Sequence, residues 1–255
     1  MGKRSAVILE LIDGRGTVSY KDLATSLDVS TMTVRRECEE LFRAGKIIRT
    51  TGGIRRANEE LGFYESTTDE RIYANSLEKL AIAKSALELI KDSSTIFIDG
   101  STTGLALAKL IDARHKGLTV VTHSTMICLA LRSGHNTVIC AGGEFDPRSL
   151  CLVGPQAEEF VKSVFIDTAF VSATGFIPKI GTFESDPATF RVKQAIAGQA
   201  SEVVLLADHT KFGRRALSKV LDLSQINHVV TDVQVAKEHI ATLRDSGVKL
   251  SIAPI

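Results

Sequence analysis

Six short runs, TIFID, LTVVT, TVICA, TAFVSA, EVVLLAD and HVVTD, punctuate residues 95–232 and are apolar over several consecutive positions. A strand wetted on one face alternates apolar and polar residues, whereas consecutive Val, Ile, Leu and Phe suit a strand covered on both faces. Stretches of helical periodicity, such as residues 80–90 and 105–111, separate most of the runs. Strands that alternate with helices build a mostly parallel sheet with helices on either side. Residues 76–255 are therefore predicted to form an α/β sandwich, and the loops at the carboxyl ends of its strands are where a ligand would gather.

Composition narrows the class further. With 44% hydrophobic and 24% charged residues in 255, the balance is that of an ordinary globular protein. No apolar run approaches the roughly 18 residues that a membrane span needs. The opening MGKRSAVILELIDGRG has a basic start and a brief apolar run, but Glu10 and Asp13 interrupt it where a signal peptide would offer a cleavage site. A cytoplasmic protein with no membrane partner is expected. Cys38, Cys128, Cys140 and Cys151 form no C-x-x-C pair, so buried thiols are expected rather than disulfides or zinc, with no metal and no cofactor.

Charge divides unevenly. Residues 1–57 hold 11 Lys/Arg against 7 Asp/Glu, so a net charge of +4 heads a chain whose total is only +1. In this basic segment Val7, Ile8, Leu11 and Ile12 recur at helical spacing until Gly14 and Gly16 stop them. Ser19, with Asp22 three residues on, caps a second helix carrying Leu23, Ala24 and Leu27. After a turn at Asp28 and Val29, Ser30 caps a third helix whose inward face is Val34, Cys38, Leu41 and Phe42. Three short helices with a sharp turn before the last describe a helix-turn-helix unit. Its outer N-terminal face then holds Thr31, Met32, Thr33, Arg35 and Arg36, beside the cap Ser30. Hydroxyls suit phosphate and mixed base contacts, and an arginine can grip guanine O6 and N7 together, so this face is expected to enter the major groove of double-stranded operator DNA. GKIIRTTGGIRR, residues 45–56, reads as a two-stranded wing that places Arg49, Arg55 and Arg56 near adjacent phosphates. A blander reading, a three-helix interaction module with a solvated arginine pair, leaves the basic wing unexplained.

The order VSTMTVRRE followed by LFRAGKIIRTTGGI resembles the N-terminal signature of the DeoR family of bacterial transcriptional repressors, with Cys38 standing where that family usually carries leucine. Residues 58–75, polar with isolated Phe63, Tyr64 and Tyr73, read as a linker.

Five loops after predicted strands carry polar or glycine residues: DGSTTG at 99–104, THS at 122–124, AGGEF at 141–145, SATG at 172–175 and ADHTKFG at 207–213. Singly, a Gly-Ser-Thr turn is usually a helix cap, and a lone His123 or His209 is usually an ordinary hydrogen-bonded histidine. Gathered at one edge they would build a pocket with scattered polar groups and a lysine. These blocks, together with EKLAIAKSA, resemble the DeoR-family sensor domain, which is similar in fold to ribose-5-phosphate isomerase and CoA transferases. The resemblance implies a phosphorylated sugar or polyol effector lined by Asp99, Ser101, Thr102, Thr103, His123, Ser124, Gly142, Gly143, Gly175, Glu184, Lys193, Asp208 and Lys211. The stretch GTFESDPATF departs from the family's usual form at Phe183 and Pro187.

The expected function is a DNA-binding repressor, a homodimer or homotetramer, of a sugar or polyol operon. Two rivals stand beside it. One is a sugar-phosphate isomerase or hydrolase carrying a DNA-binding head, with Asp99, Glu184 or Asp208 as base and Lys211 as electrophilic helper. The other is a DNA-binding protein whose larger portion only dimerises.

Overall fold

In the computed structural model, residues 3–43, 46–50, 53–56 and 68–255 are described. The chain divides into two compact units, Met1–Ser76 and Leu77–Ile255.

The first unit contains α1 (Lys3–Arg15), β1 (Thr17–Val18), α2 (Tyr20–Ser26), α3 (Thr31–Arg43), β2 (Ile47–Thr50), β3 (Gly53–Arg56) and α4 (Thr68–Tyr73). Ile8, Ile12, Leu23, Val34, Cys38, Leu41, Ile47 and Ile54 are buried together as its core. Cys38 is fully enclosed, so a sulfur fills the place of a branched aliphatic chain without loss of the inward stripe. Asp28 adopts φ 49°, which turns the chain sharply between α2 and α3. The strands order as β1-β3-β2, all antiparallel, so the wing is a three-stranded ribbon rather than the expected two. Gly53 has φ 146°, and a Cβ there would stand 2.2 Å from the Val18 carbonyl oxygen, so only glycine lets β3 pass this close to β1. Within the segment read as a linker, Thr68–Tyr73 folds as a helix packed on β2, while residues 57–67, including Phe63 and Tyr64, lie outside the described residues.

The second unit opens with α5 (Ser76–Leu87), β4 (Thr95–Ile98), α6 (Thr102–Arg114), β5 (Thr119–Thr122), α7 (Thr125–Ala130) and β6 (Thr137–Cys140). There follow β7 (Glu144–Asp146), β8 (Cys151–Val153), α8 (Pro155–Lys162), β9 (Ile166–Val171), β10 (Gly175–Ile177), β11 (Gly181–Glu184) and α9 (Pro187–Ala197). The remainder is β12 (Ala200–Leu206), β13 (Ser218–Asp222), β14 (His228–Asp232), α10 (Lys237–Asp245) and β15 (Lys249–Ala253). Seven strands form one sheet in the order β15-β14-β12-β9-β4-β5-β6, parallel throughout. Ile96, Phe97 and Ile98 are buried in succession, as are Val203 through Leu206, which is the mark of strands covered on both faces.

The chain runs outward from β4 through β5 to β6, returns as β9 on the other side of β4, and then runs outward again. β4 and β9 thus flank the point where the winding reverses, the place at which ligands gather in sheets of this kind. A small antiparallel sheet, β10-β11-β13, and the β7–β8 hairpin supply further groups beside it.

Candidate DNA-reading face and effector site

In the first unit the predicted caps form. The Ser19 hydroxyl accepts from the Asp22 amide at 3.1 Å, and the Ser30 hydroxyl accepts from the Thr33 amide at 3.1 Å. Thr33 also shares a 2.9 Å hydroxyl contact with Ser30, so these two side chains hold the helix start while Thr31, Met32, Arg35 and Arg36 project outward. Met32 is 73% exposed on this face. The Arg35 guanidinium lies over the Tyr20 ring, 5.5 Å from its centroid, which holds this cation near the helix start. Glu37 turns away, accepting from Ser5 at 3.4 Å and facing Arg4 at 3.9 Å, so its charge is drawn back toward α1. Arg49 lies on β2 and pairs in register with Ile54, while Arg55 and Arg56 lie on β3. An exposed cationic face at the start of α3 therefore accompanies a ribbon carrying three arginines.

The second unit gathers a buried polar cluster at the reversal point. Asp99, at the end of β4, is fully buried and accepts from the Ser101 amide at 3.1 Å and the Ser172 amide at 2.8 Å. Its second oxygen also lies 3.1 Å from Lys193 Nζ. Lys193 comes from α9, donates to the Ser172 carbonyl at 2.9 Å and pairs closely with Glu184 of β11. Glu184 in turn accepts from the Thr174 hydroxyl at 2.6 Å. Burial would raise the Asp99 carboxyl, but the Lys193 charge and the hydrogen bonds from Ser101 and Ser172 overcome it and hold the group below the usual range. Burial likewise works against the Lys193 ammonium, and the charges of Glu184 and Asp99 reverse it, so the amine is held above its ordinary value.

The departure at Pro187 has a local use here. Asp186 caps α9 by accepting from the Ala188 amide at 3.1 Å, and Pro187 takes the first helical position, where no amide hydrogen is needed. Phe183 is buried beside Glu184 in β11.

His123, after β5, is 1% exposed and stacks on Phe97 with ring centroids 5.7 Å apart and planes within 3°. Neither of its ring nitrogens has a hydrogen-bond partner among the described residues. Burial lowers its pKa to about 4, only partly opposed by the Asp99 charge, so the ring is neutral near pH 7. A Cβ on Gly100 would stand 2.1 Å from Cys151 Sγ and 3.6 Å from His123 Nε2, so only glycine lets the thiol pack this close to the backbone. Cys151, from β8, donates to the Ser149 carbonyl at 3.4 Å, and burial pushes its thiol up to about 11. Ser124 bridges to Cys151 across the strands.

The remaining residues expected at the site are distributed around this cluster. Ser101 caps α6 by accepting from the Gly104 amide at 2.9 Å, Thr103 is buried behind it, and Thr102 is half-buried. Gly142 is exposed, and Gly143, at φ 143°, lies under the Val153 carbonyl where a Cβ would come within 2.4 Å. Gly175 passes so close beneath the Arg214 backbone that a Cβ would clash with its carbonyl oxygen at 2.4 Å. Asp208 caps the short helical turn His209–Lys211, accepting from the Thr210 amide at 3.0 Å. Burial opposes its charge, but Lys211, Thr210 and Lys79 hold its carboxyl below the usual range. Asp208 and Lys211 follow β12, two strands away from Asp99, on the same edge of the sheet. Sequence reasoning did not single out Cys151, Thr174 or the buried Lys79 of α5; a lysine inside the apolar run EKLAIAK was the one visible signal. The expectation of buried thiols holds for Cys38 and Cys151 but not for Cys140, which is exposed because β6 is the edge strand of the sheet.

A winged helix-turn-helix followed by a doubly wound sheet with a buried polar crevice defines a transcription regulator with a separate sensing unit. The model of the DeoR-like helix-turn-helix domain matches residues 4–60, and that of the DeoR C-terminal sensor domain matches residues 74–233. The chain belongs to the DeoR family of transcriptional regulators. It is 31% identical over 252 residues to the HTH-type transcriptional regulator GolR of Listeria innocua, covering 98% of each chain. It is 29% identical over 246 residues to the glycerol-3-phosphate regulon repressor of Escherichia coli, covering 96% of each. It is also 32% identical over 242 residues to the lactose phosphotransferase system repressor of Lactococcus lactis, covering 93% of each. Among solved structures, ribose 5-phosphate isomerase A of Methanocaldococcus jannaschii aligns over 54% of this chain and 55% of its own at 16% identity, with a TM-score of 0.42, a distance at which it has no bearing on activity.

Proposed function

We propose that this regulator represses a sugar or polyol operon by reading double-stranded operator DNA through Thr31, Met32, Arg35, Arg36 and the wing arginines Arg49, Arg55 and Arg56. A phosphorylated sugar or polyol at the carboxyl edge of the sheet changes that affinity. Helix-turn-helix readers bind paired half-sites, which favours a homodimer or homotetramer acting in the cytoplasm.

The observation that carries the sensing half is His123: a buried, neutral imidazole with both nitrogens unengaged, held flat by Phe97 beside Gly100. A buried polar group without a partner costs about 1–3 kcal/mol, which a ligand hydroxyl would relieve. Charge sorts the rest of the ligand. Asp99 and Glu184 against Lys193 leave this cluster net negative, which repels phosphate. The phosphate is assigned instead to the start of α6 at Ser101, Thr102 and Thr103, where helix amides favour an anion. The relatives named for glycerol 3-phosphate and for a lactose phosphotransferase system support the same ligand class.

A non-enzymatic role is favoured over isomerase chemistry. A base that abstracts a substrate proton needs a carboxylate oxygen turned to the ligand. The oxygens of Asp99 are occupied by Ser101, Ser172 and Lys193, and Glu184 is occupied by Lys193 and Thr174. Anisotropy titration of the operator with a panel of phosphorylated sugars and polyols tests the proposal: at least one should shift DNA affinity, and the shift should vanish in His123→Phe. Equal DNA affinity across the whole panel would reject the effector mechanism, and turnover of any panel member would reinstate the enzyme.

A further inference from the structure

β6 is one edge of the seven-stranded sheet, and among the described residues no strand lies on its outer side. The amides of Thr137 and Ala141 donate to the carbonyls of Leu118 and Thr122, beside β5. Backbone groups alternate in direction along such a ladder, so Thr137, Ile139 and Ala141 address β5, while Val138 and Cys140 turn their N–H and C=O groups outward.

Proteins that keep an edge single usually place a charge or a proline on it. The opposite edge does so, since β15 carries Lys249, whose ammonium lies 3.4 Å from Glu202. β6 reads TVIC, with Thr137 and Cys140 exposed and Val138 and Ile139 half-buried. Apolar side chains stand exposed on its neighbours as well. α7, which packs on β6, shows 64% of Leu129, and β7, which follows β6 in the chain, shows 49% of Phe145.

From this unguarded edge we infer that β6 is a dimerisation strand, pairing antiparallel with β6 of a second copy so that two seven-stranded sheets join across a twofold axis at Ile139. The occupant follows from complementarity. Opposite residues of an antiparallel pair exchange N–H···O=C bonds only where both turn those groups outward. An identical strand centred on Ile139 sets Val138 against Cys140 of the other copy and Cys140 against its Val138, so one register satisfies every outward group of the four-residue strand. Charge agrees with that direction. Arg132 is exposed before the strand and Glu144 after it, and the antiparallel arrangement brings the basic end of each copy toward the acidic end of the other. A contact in which each copy uses the same patch closes on itself and stops at two sheets. This inference rests on the oligomer proposed above and gives it an interface, whereas the effector and operator readings do not depend on it.

Two measurements on the full chain test the pair. Val138→Pro removes an outward amide hydrogen that β5 does not use, a place where an edge strand tolerates proline. Light scattering after size exclusion should give half the wild-type mass for Val138→Pro, and likewise for Cys140→Lys, which sets a charge on the same edge, with circular dichroism unchanged in both. Ile139→Cys, in a chain that also carries Cys128→Ser and Cys140→Ser, places two thiols on the axis. Residues opposed there form a non-hydrogen-bonded pair with Cα atoms about 4.5 Å apart, within the span of a disulfide. Mild oxidation should therefore link Ile139→Cys into covalent dimers, while Thr137→Cys in the same background, its twins offset by about 13 Å along the strands, should stay single. Variants that both keep the wild-type mass, or an Ile139→Cys chain that links no faster than Thr137→Cys, would overturn the edge pair and leave an oligomeric wild type with a different interface. A monomeric wild type would overturn the pair and the proposed oligomer together.

Discussion

Replacing Lys193 by methionine isolates the charge balance of the buried cluster. In the wild type one ammonium is shared by two carboxylates and offsets half of their charge, at 3.1 Å from Asp99 and in close contact with Glu184. Methionine keeps most of the volume and strands both anions where water cannot reach. Removing one partner from a buried ion pair costs about 3–5 kcal/mol, because the abandoned charge retains its desolvation penalty. The variant can reduce that penalty only by binding a proton, so its cluster carboxyls should titrate above their unfolded values. The pH dependence should therefore change sign. In the wild type the Asp99 carboxyl is held low, so its contribution is complete above the unfolded pKa of about 4 and is lost as pH falls through the lower folded value. In Lys193→Met, by contrast, folded carboxyls take up protons before unfolded ones, and stability should rise as pH falls from about 8 to about 5. Hydrogen exchange of peptides covering β4 and β9 reads this locally, without assuming that the two units unfold together. A variant that loses less than about 1 kcal/mol, or that keeps the wild-type slope with pH, would refute a neutralising role for Lys193.

Other outcomes follow from the same geometry. Arg36→Ala should weaken operator binding by about 1–3 kcal/mol if it grips a base, or flatten the salt slope if it meets phosphate, with thermal stability unchanged, as fluorescence anisotropy over a salt series will read. Gly53→Ala should destabilise the first unit by at least about 1 kcal/mol and lower DNA affinity, because the new Cβ meets the Val18 carbonyl at 2.2 Å; circular dichroism melting provides the check. His123 has its pKa lowered by burial to about 4, so its neutral form contributes stability that is whole above about 6.5 and disappears between there and about 4, about 3 kcal/mol in all. Urea midpoints across that window should fall less steeply for His123→Phe, and an unchanged slope would count against the buried neutral imidazole.

Legibility in the sequence tracked how local each determinant was. The helix-turn-helix could be read because its signals are a few residues apart: Ser19 and Ser30 cap helices in their own vicinity, and Val34, Cys38 and Leu41 fall inward by period alone. The strands from β4 to β14 in the large sheet were evident because burial on both faces demands unbroken apolar runs. β15, with its KLSIA alternation at the sheet edge, carried no such run. Nor did β7, β8, β10, β11 and β13, which are three to five residues long and too short to show a pattern of their own. That is why Cys151 could be read as a buried thiol but its place beside Gly100, delivered by the β7–β8 hairpin, could not. Glu184 and Lys193 were named through family resemblance, but nothing local to either residue specified that they would meet Asp99. The exposure of Cys140 could not be read either, since TVIC looks the same in a central strand and at an edge.

The pairing of β4 with β9 joins segments about seventy residues apart, as the 73-residue separation of Asp99 and Ser172 measures. During synthesis β5 and β6 emerge long before β9, so the flank of TIFI that becomes the middle of the finished sheet is for a time an open, uncharged border. Such borders recruit foreign strands. A chain cut short between residues 99 and 165 would keep that border permanently, so premature termination there should yield insoluble product rather than a smaller regulator.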